Sequence, residues 1–309
     1  MTAAATHPET GARLMRWATG ASLAVGLALT AAKLVAYVTT DSVAMLSSLI
    51  DSLLDVAAAL VNALAVRHAL QPADREHRFG HGKAEPLAGL GQAVFIGGAA
   101  VFLFAEAGRR LIDPVPVVNT GVGIVVSLVA LAVTAALVRF QSFVVRRTKS
   151  LAVSADALHY LGDLLLNGGV ILALVVGPWL GWQRFDPVLS LVIGAGVLFG
   201  AWRIALSSFH VLMDHELSDV DRARIRALCE AHPQVIGVHD MRTRSAGQKI
   251  FVQLHLELDG GMRLRDANAI AHVVEHDIQA AFPGAEVLIH QDPTSEAPHG
   301  PAFARAKAG

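Results

Sequence analysis

Two short stretches place ionisable side chains inside long apolar runs. In Ser47-Ser48-Leu49-Ile50-Asp51-Ser52-Leu53-Leu54-Asp55, two carboxylates sit four residues apart inside a long apolar run. In Asp156-Ala157-Leu158-His159-Tyr160-Leu161-Gly162-Asp163, a histidine and a carboxylate repeat the spacing. Helical positions i and i+4 share a face, with β-carbons about 5–6 Å apart. Each pair can therefore aim two ligands at one point. Ionisable groups at membrane depth are costly and mark functional sites. Asp51, Asp55, His159 and Asp163 thus form a candidate site for one divalent metal.

These residues need spans to carry them. The 309-residue chain is 53% hydrophobic and 17% charged, against about 25% charged for a soluble domain. Six apolar spans can be read, near residues 14–38, 42–66, 86–111, 117–144, 151–178 and 186–211, each close to the ~20 residues a bilayer needs. Short connections at 39–41, 112–116 and 178–185 carry turn residues, and those at 67–85 and 139–150 are richer in basic residues. Arg13, Arg16, Arg67, Arg75, Arg78, Lys83, Arg139, Arg146, Arg147 and Lys149 fall on one side, and Arg109, Arg110 and Arg184 on the other. The positive-inside rule makes the first side cytoplasmic, with both termini there. Lys33 and Arg203 lie inside spans, where snorkelling accommodates them.

Depth brings the two pairs together. At 1.5 Å per residue, Asp51 and Asp55 lie roughly 13 and 19 Å from the outer end of the second span. His159 and Asp163 lie roughly 12 and 18 Å from the inner end of the fifth. In a core about 30 Å thick, Asp51 is level with Asp163 and Asp55 with His159. Three carboxylates and one imidazole form a four-ligand O/N set that suits zinc. Polar helix–helix contacts are the competing account, and two coplanar pairs argue against it.

Other clusters lie outside the spans. In Asp74-Arg75-Glu76-His77-Arg78-Phe79-Gly80-His81-Gly82-Lys83, the residues Asp74, His77 and His81 could bind a metal on a loop, although such loops are often only surface. From about Leu217 the texture becomes that of a soluble domain. A helix is expected over 219–231 with Ser218 as cap, strands over 235–244 and 249–258, an amphipathic helix over 265–281 and a third strand over 286–290. This domain carries His239, His255, His290 and Asp292. Together they could hold one or two zinc ions, and a solvated polar sheet face fits the spacing equally well. The predicted organisation is a disordered tail (1–12), an all-α membrane domain of six helices (13–212), a small α+β domain of order α-β-β-α-β (213–292) and a disordered tail (293–309).

Several classes are excluded or disfavoured. A net charge of -1 gives no sign of nucleic-acid binding. One cysteine, Cys229, rules out an internal disulfide and a Cys-rich zinc module. Fourteen histidines point metal chemistry to N/O ligands. An intramembrane metallohydrolase needs an open coordination position and a general base; the sequence has no HExxH, and its ligands divide two and two. An enzyme is not expected.

The paired carboxylate and histidine motifs, the loop Asp74–Leu90 and the ending Ile289-His290-Gln291-Asp292-Pro293 together resemble the cation diffusion facilitator family. The likeness runs from about Leu14 to Pro293 and is strongest to the bacterial branch exporting zinc and, in some members, iron or cadmium. It implies a transport site of Asp51, Asp55, His159 and Asp163, a loop site of Asp74, His77 and His81, and a cytoplasmic site of His239, His255, His290 and Asp292, with Asp292 bridging two ions. It also implies an inner-membrane homodimer of alternating access, with Lys83 and Asp214 as a charged lock. One departure is Asn268, which stands where the family has a further histidine; His272, one turn on, is the candidate replacement. The expected function is Zn2+ export from the cytoplasm with protons as counter-substrate, since no nucleotide motif is present. Fe2+ or Cd2+ export, a broad-range divalent metal exporter, or a metal sensor without flux are the alternatives.

Overall fold

The computed structural model describes residues 8–40, 43–112, 121–180 and 184–294. Six long helices come first: α1 (Pro8–Thr40), α2 (Val43–Ala69), α3 (Ala84–Ile112), α4 (Gly121–Thr148), α5 (Leu151–Leu180) and α6 (Phe185–Leu212). The shortest has 27 residues, or about 40 Å of helix, enough to cross a ~30 Å hydrocarbon core. Among the described residues, five helices contain stretches long and apolar enough to span a membrane, in α1, α2, α3, α4 and α6. The sixth, α5, carries Asp156, His159 and Asp163 in its first half. Large apolar side chains such as Trp17, Val61, Phe102, Phe199 and Trp202 are exposed on these helices. Such a surface suits lipid rather than water.

The helix bounds differ from expectation in two places. α1 starts at Pro8, so residues 8–12 are helical rather than part of a tail. Proline's fixed φ suits the first helical position, and Glu9 complements the positive end of the helix dipole. The basic stretch 139–150 is not a connection. α4 continues through it to Thr148, and Lys149, at φ 57°, turns the chain into α5. The expected connections at 39–41, 112–116 and 178–185 lie partly outside the described residues, as do residues 1–7 and 295–309 of the expected tails.

The chain divides into two compact units between His210 and Val211. The second contains α7 (Asp219–Glu230), β1 (Gly237–Ala246), β2 (Lys249–Leu258), α8 (Leu264–Ala281) and β3 (Glu286–Pro293). The order is the expected α-β-β-α-β, and β3 runs three residues beyond the predicted strand end. Ser218 caps α7, its hydroxyl accepting from the Asp221 N–H. β2 is central, antiparallel to β1 and parallel to β3. Val252, Leu254, Leu256 and Leu258 alternate onto one face of β2 and pack with Ile270, Val274 and Ile278 of α8 and with Ile225 and Cys229 of α7. Burial pushes the Cys229 thiol up to about 11, so it is an inert core residue. Period-2 alternation then leaves Gln253, His255 and Glu257 on the opposite face.

Candidate metal centres

In the helical unit, α2 and α5 meet through their ionisable residues. His159 Nε2 lies 3.1 Å from Asp55 Oδ1 and 3.7 Å from Asp163 Oδ2. His159 is 14% exposed, against 30% for Asp55 and 40% for Asp163, so the imidazole is the most enclosed of the three. Ligand atoms from Asp55, His159 and Asp163 all lie within 4.8 Å of one another. Asp51 is exposed and stands outside that group. Positions i and i+4 differ by about 40° around the helix, which turns Asp51 off the line on which Asp55 meets α5. The levelling of Asp55 with His159 is seen directly, and three of the four expected ligands converge.

The turn carrying His159 is held by four neighbouring helices. Asp156 is 1% exposed and accepts from Gln92 Nε2 of α3 at 3.3 Å and from Gln141 Nε2 of α4 at 2.7 Å. Leu158 packs against Gly200 of α6, where a β-carbon would come within 2.9 Å of it. Small residues allow such close helix approach. Tyr160 donates its hydroxyl to the Ser22 carbonyl of α1 at 3.2 Å. At the start of α5, the Leu151 N–H donates to buried Glu85 of α3 at 2.9 Å, placing an acid at a helix N-terminus. The α2 side is fixed by α1. Thr30 donates to the Ser52 carbonyl at 3.2 Å. Lys33 Nζ donates to Ser52 Oγ at 2.5 Å and to the Ser48 carbonyl at 3.3 Å. Lys33 therefore bonds α2 beside Asp51 and Asp55, where snorkelling was expected. Oxygens offered by the neighbouring helix satisfy the ammonium locally.

The loop brings its three expected residues together. Asp74 Oδ1 accepts from the backbone N–H of Glu76 at 2.9 Å and of His77 at 2.6 Å, the side-chain turn that Asp favours. The His77 N–H, aided by that of Glu76, holds the Asp74 carboxyl below its ordinary range. Asp74 Oδ2 lies 3.3 Å from His81 Nε2, and Oδ1 lies 3.5 Å from His77 Nδ1. Gly80, at φ +83°, makes the turn that returns His81 to Asp74. An Asp and two His form an O/N set that fits zinc.

In the second unit, strand register builds the centre. His239 pairs with His255, and His255 with His290, as direct cross-strand neighbours. The rings stand 5.2 and 4.7 Å apart between centroids. Asp292, two residues after His290 on the same face, serves all three. Its Oδ2 lies 3.0 Å from His239 Nε2 and 2.8 Å from His255 Nδ1, while its Oδ1 lies 3.1 Å from His290 Nε2. A carboxylate with its two oxygens turned to different imidazoles can bridge two ions. Burial works to raise the Asp292 pKa, but the His255 hydrogen bond and the charges of His255, His290 and His239 outweigh it and keep the carboxyl below 3.8. The β1 register shifts between His239 and Arg242, with Asp240 at φ 45°; such a bulge re-aims neighbouring side chains. A cleft of about 260 Å³ opens beside His255 and His290. Three imidazoles and a carboxylate fit zinc.

His272 is exposed and pairs with Glu275 at 3.2 Å on α8. The helix packs on the sheet face opposite the histidine row, so within one protomer His272 is not brought to the centre. Asp214 lies 3.2 Å from Arg244 Nη1. Lys83 and Asp214 belong to different units. Sequence reading missed Glu257, whose Oε1 lies 3.0 Å from His239 Nδ1. The available signal was its place two residues after His255 on the polar face. It also missed Asp156, Gln92 and Gln141, whose signal was polarity within apolar spans.

The chain matches the cation efflux transmembrane domain over residues 20–213 and the cation efflux protein cytoplasmic domain over residues 217–294. It is 46% identical over 286 residues to the cation-efflux pump FieF of Klebsiella pneumoniae (strain 342), covering 93% of this chain and 95% of that protein. It is 47% identical over 286 residues to the cation-efflux pump FieF of Yersinia pestis (strain Pestoides F), covering 92% and 95%. A solved structure of CzrB in a zinc form is 31% identical, covers 28% of this chain and 99% of that one, and has a TM-score of 0.26.

Proposed function

The chain belongs to the cation efflux (cation diffusion facilitator) family, and on that premise we propose that it exports Zn2+ from the cytoplasm in exchange for protons. At the coarser level it is a multi-pass membrane cation-efflux protein and not an enzyme. The observation that carries the finer reading is the convergence of Asp55 on α2 with His159 and Asp163 on α5 inside apolar helices. Asp51, one turn along α2, is the fourth ligand that the cargo ion recruits. Two ligands come from each helix, so a relative shift of α2 and α5 alters all four positions.

Moving a divalent ion outward against a negative interior costs about 4.6 kcal/mol per 100 mV, at ~2.3 per charge. The inward proton gradient supplies that work. Imidazole exchanges a proton for a metal, binding metal only when neutral, which makes His159 the coupling residue. Facing the cytoplasm, the incoming ion displaces a proton from the site; facing outward, a proton displaces the ion. Both termini are cytoplasmic, and the protein resides in the inner (plasma) membrane as a homodimer, with Lys83 and Asp214 forming a charged lock. The sheet centre holds zinc and biases the transport equilibrium by stabilising one state.

The mixed carboxylate and imidazole donor set also suits Fe2+ as a second cargo, with Cd2+ tested beside it. Uptake of radiolabelled zinc into inside-out vesicles tests the main reading. Zinc accumulation should follow an imposed pH gradient and collapse with it. Uptake indifferent to the gradient removes proton exchange, and a lack of zinc uptake alongside Fe2+ or Cd2+ uptake reassigns the cargo.

A further inference from the structure

His68 lies in the last turn of α2, six residues before the loop motif begins. Its ring meets that of His81 edge to face, with centroids 4.5 Å apart and planes at 66°. His77 approaches the same ring at 4.5 Å. His81 is thus flanked by two further imidazoles while its Nε2 faces Asp74. It is 8% exposed, and its Nδ1 is buried without a hydrogen-bond partner. A buried ring nitrogen without a partner calls for an explanation in a native structure. The Gln71 N–H bonds the His68 carbonyl at 3.0 Å, so the chain reverses at His68 and folds the loop back beside it.

We propose that His68 is the fourth ligand of the loop centre, completing an Asp74, His77, His81, His68 site for a zinc-like divalent ion that staples the loop to the end of α2. The proposal rests on the reading of the loop as a metal site. Asp74, His77 and His81 supply three ligands, and structural zinc sites take four. The nitrogens of His68 stand outside the group whose ligand atoms already lie within 4.8 Å of one another. His68 is exposed, and its terminal torsion is broad, so a turn of the ring suffices to present a nitrogen. With water in the fourth position the site would be open and its ion readily exchanged. With His68 it is closed, and the ion becomes part of the fold.

The test uses the full-length protein in detergent, with Asp51→Ala, Asp55→Ala and His255→Ala silencing the other centres, titrated with Zn2+ and with Co2+ as a coordination probe. The parent should bind Co2+ with the intense visible absorption of four-coordinate cobalt. His68→Gln and His68→Phe should both weaken Zn2+ binding about 10- to 100-fold, no less than loss of an outer-shell partner, and both should lose the intense absorption. His68→Phe keeps an aromatic ring against His81, so a parent-like affinity and spectrum in that variant overturns the proposal and leaves His68 as packing. Asp74→Ala separates the two readings. If it removes the bound ion while both His68 variants match the parent, the loop site stands without His68. If it leaves metal binding unchanged, the loop reading fails and the His68 assignment with it.

Discussion

The membrane centre and the sheet centre use similar side chains on opposite kinds of support. Asp55 and His159 are 104 residues apart in sequence and sit on two helices, each with its own hydrogen-bonded backbone. No backbone ladder ties α2 to α5 at the site. The sheet centre stands on three strands whose backbone bonds fix His239, His255 and His290 in one row. Moving one of those ligands requires breaking strand pairing. The helical support can separate its ligands by sliding, which a site that must release its ion requires. The strand support keeps its ligands together, which suits a site that reports occupancy. The side chains around α5 agree with this division. Asp156, Leu158 and Tyr160 anchor the His159 turn to α3, α4, α6 and α1, so α5 is the mounted partner.

The largest effect expected from breaking one side of this comparison comes from Asp156→Ala. It leaves the donor groups of Gln92 and Gln141 buried and unpaired, at about 1–3 kcal/mol each. The thermal midpoint of the helical unit should fall and transport should fail, while zinc stays bound at the sheet centre. An unchanged midpoint would deny that this network mounts α5. A smaller effect, about tenfold in preference between metals, is expected from His159→Asp. It removes the one borderline-soft ligand, so flux should shift from zinc toward manganese. An unaltered metal profile would remove His159 from the choice of cargo.

A third effect concerns pH at the sheet centre. The Asp292 carboxyl is held below its ordinary value of 3.8. Its contribution to stability is therefore complete above that value and lost only as pH falls through the lower folded-state pKa. Near neutral pH the carboxylate is therefore ionised, and protons compete with zinc for the imidazole ligands. Zinc binding requires them neutral, so affinity at this centre should rise with pH, by about tenfold per unit for each proton displaced. Calorimetry at several pH values on the full-length protein with Asp55→Ala measures that slope. A flat profile would mean that the histidines do not bind the ion.

Much of this arrangement was legible in the sequence because its periodicities are local. The i,i+4 spacing of Asp51 and Asp55, and of His159 and Asp163, needs only a helix to be read. The alternation of Val252, Leu254, Leu256 and Leu258 places His255 on the open face of β2 before any strand partner is known. Contacts that depend on which helix lies beside which were not legible. Gln92, Gln141 and Asp156 come from three helices with no common spacing, and Lys33 reaches Ser48 and Ser52 only because α1 packs along α2. The row of three histidines follows from register, which single-strand alternation leaves open by an even number of residues. The offset of Asp51 from its three partners is a matter of helix rotation that a depth calculation averages away.

The division of labour between the two centres is tested most directly by zinc flux in proteoliposomes containing Asp55→Ala or His255→Ala, measured beside the unsubstituted protein. Asp55→Ala should abolish flux while zinc still binds at the sheet centre. His255→Ala should weaken binding at the sheet centre and leave flux measurable, with an altered dependence on zinc concentration. Flux that survives Asp55→Ala, or is abolished by His255→Ala in a protein that remains folded, would contradict the account.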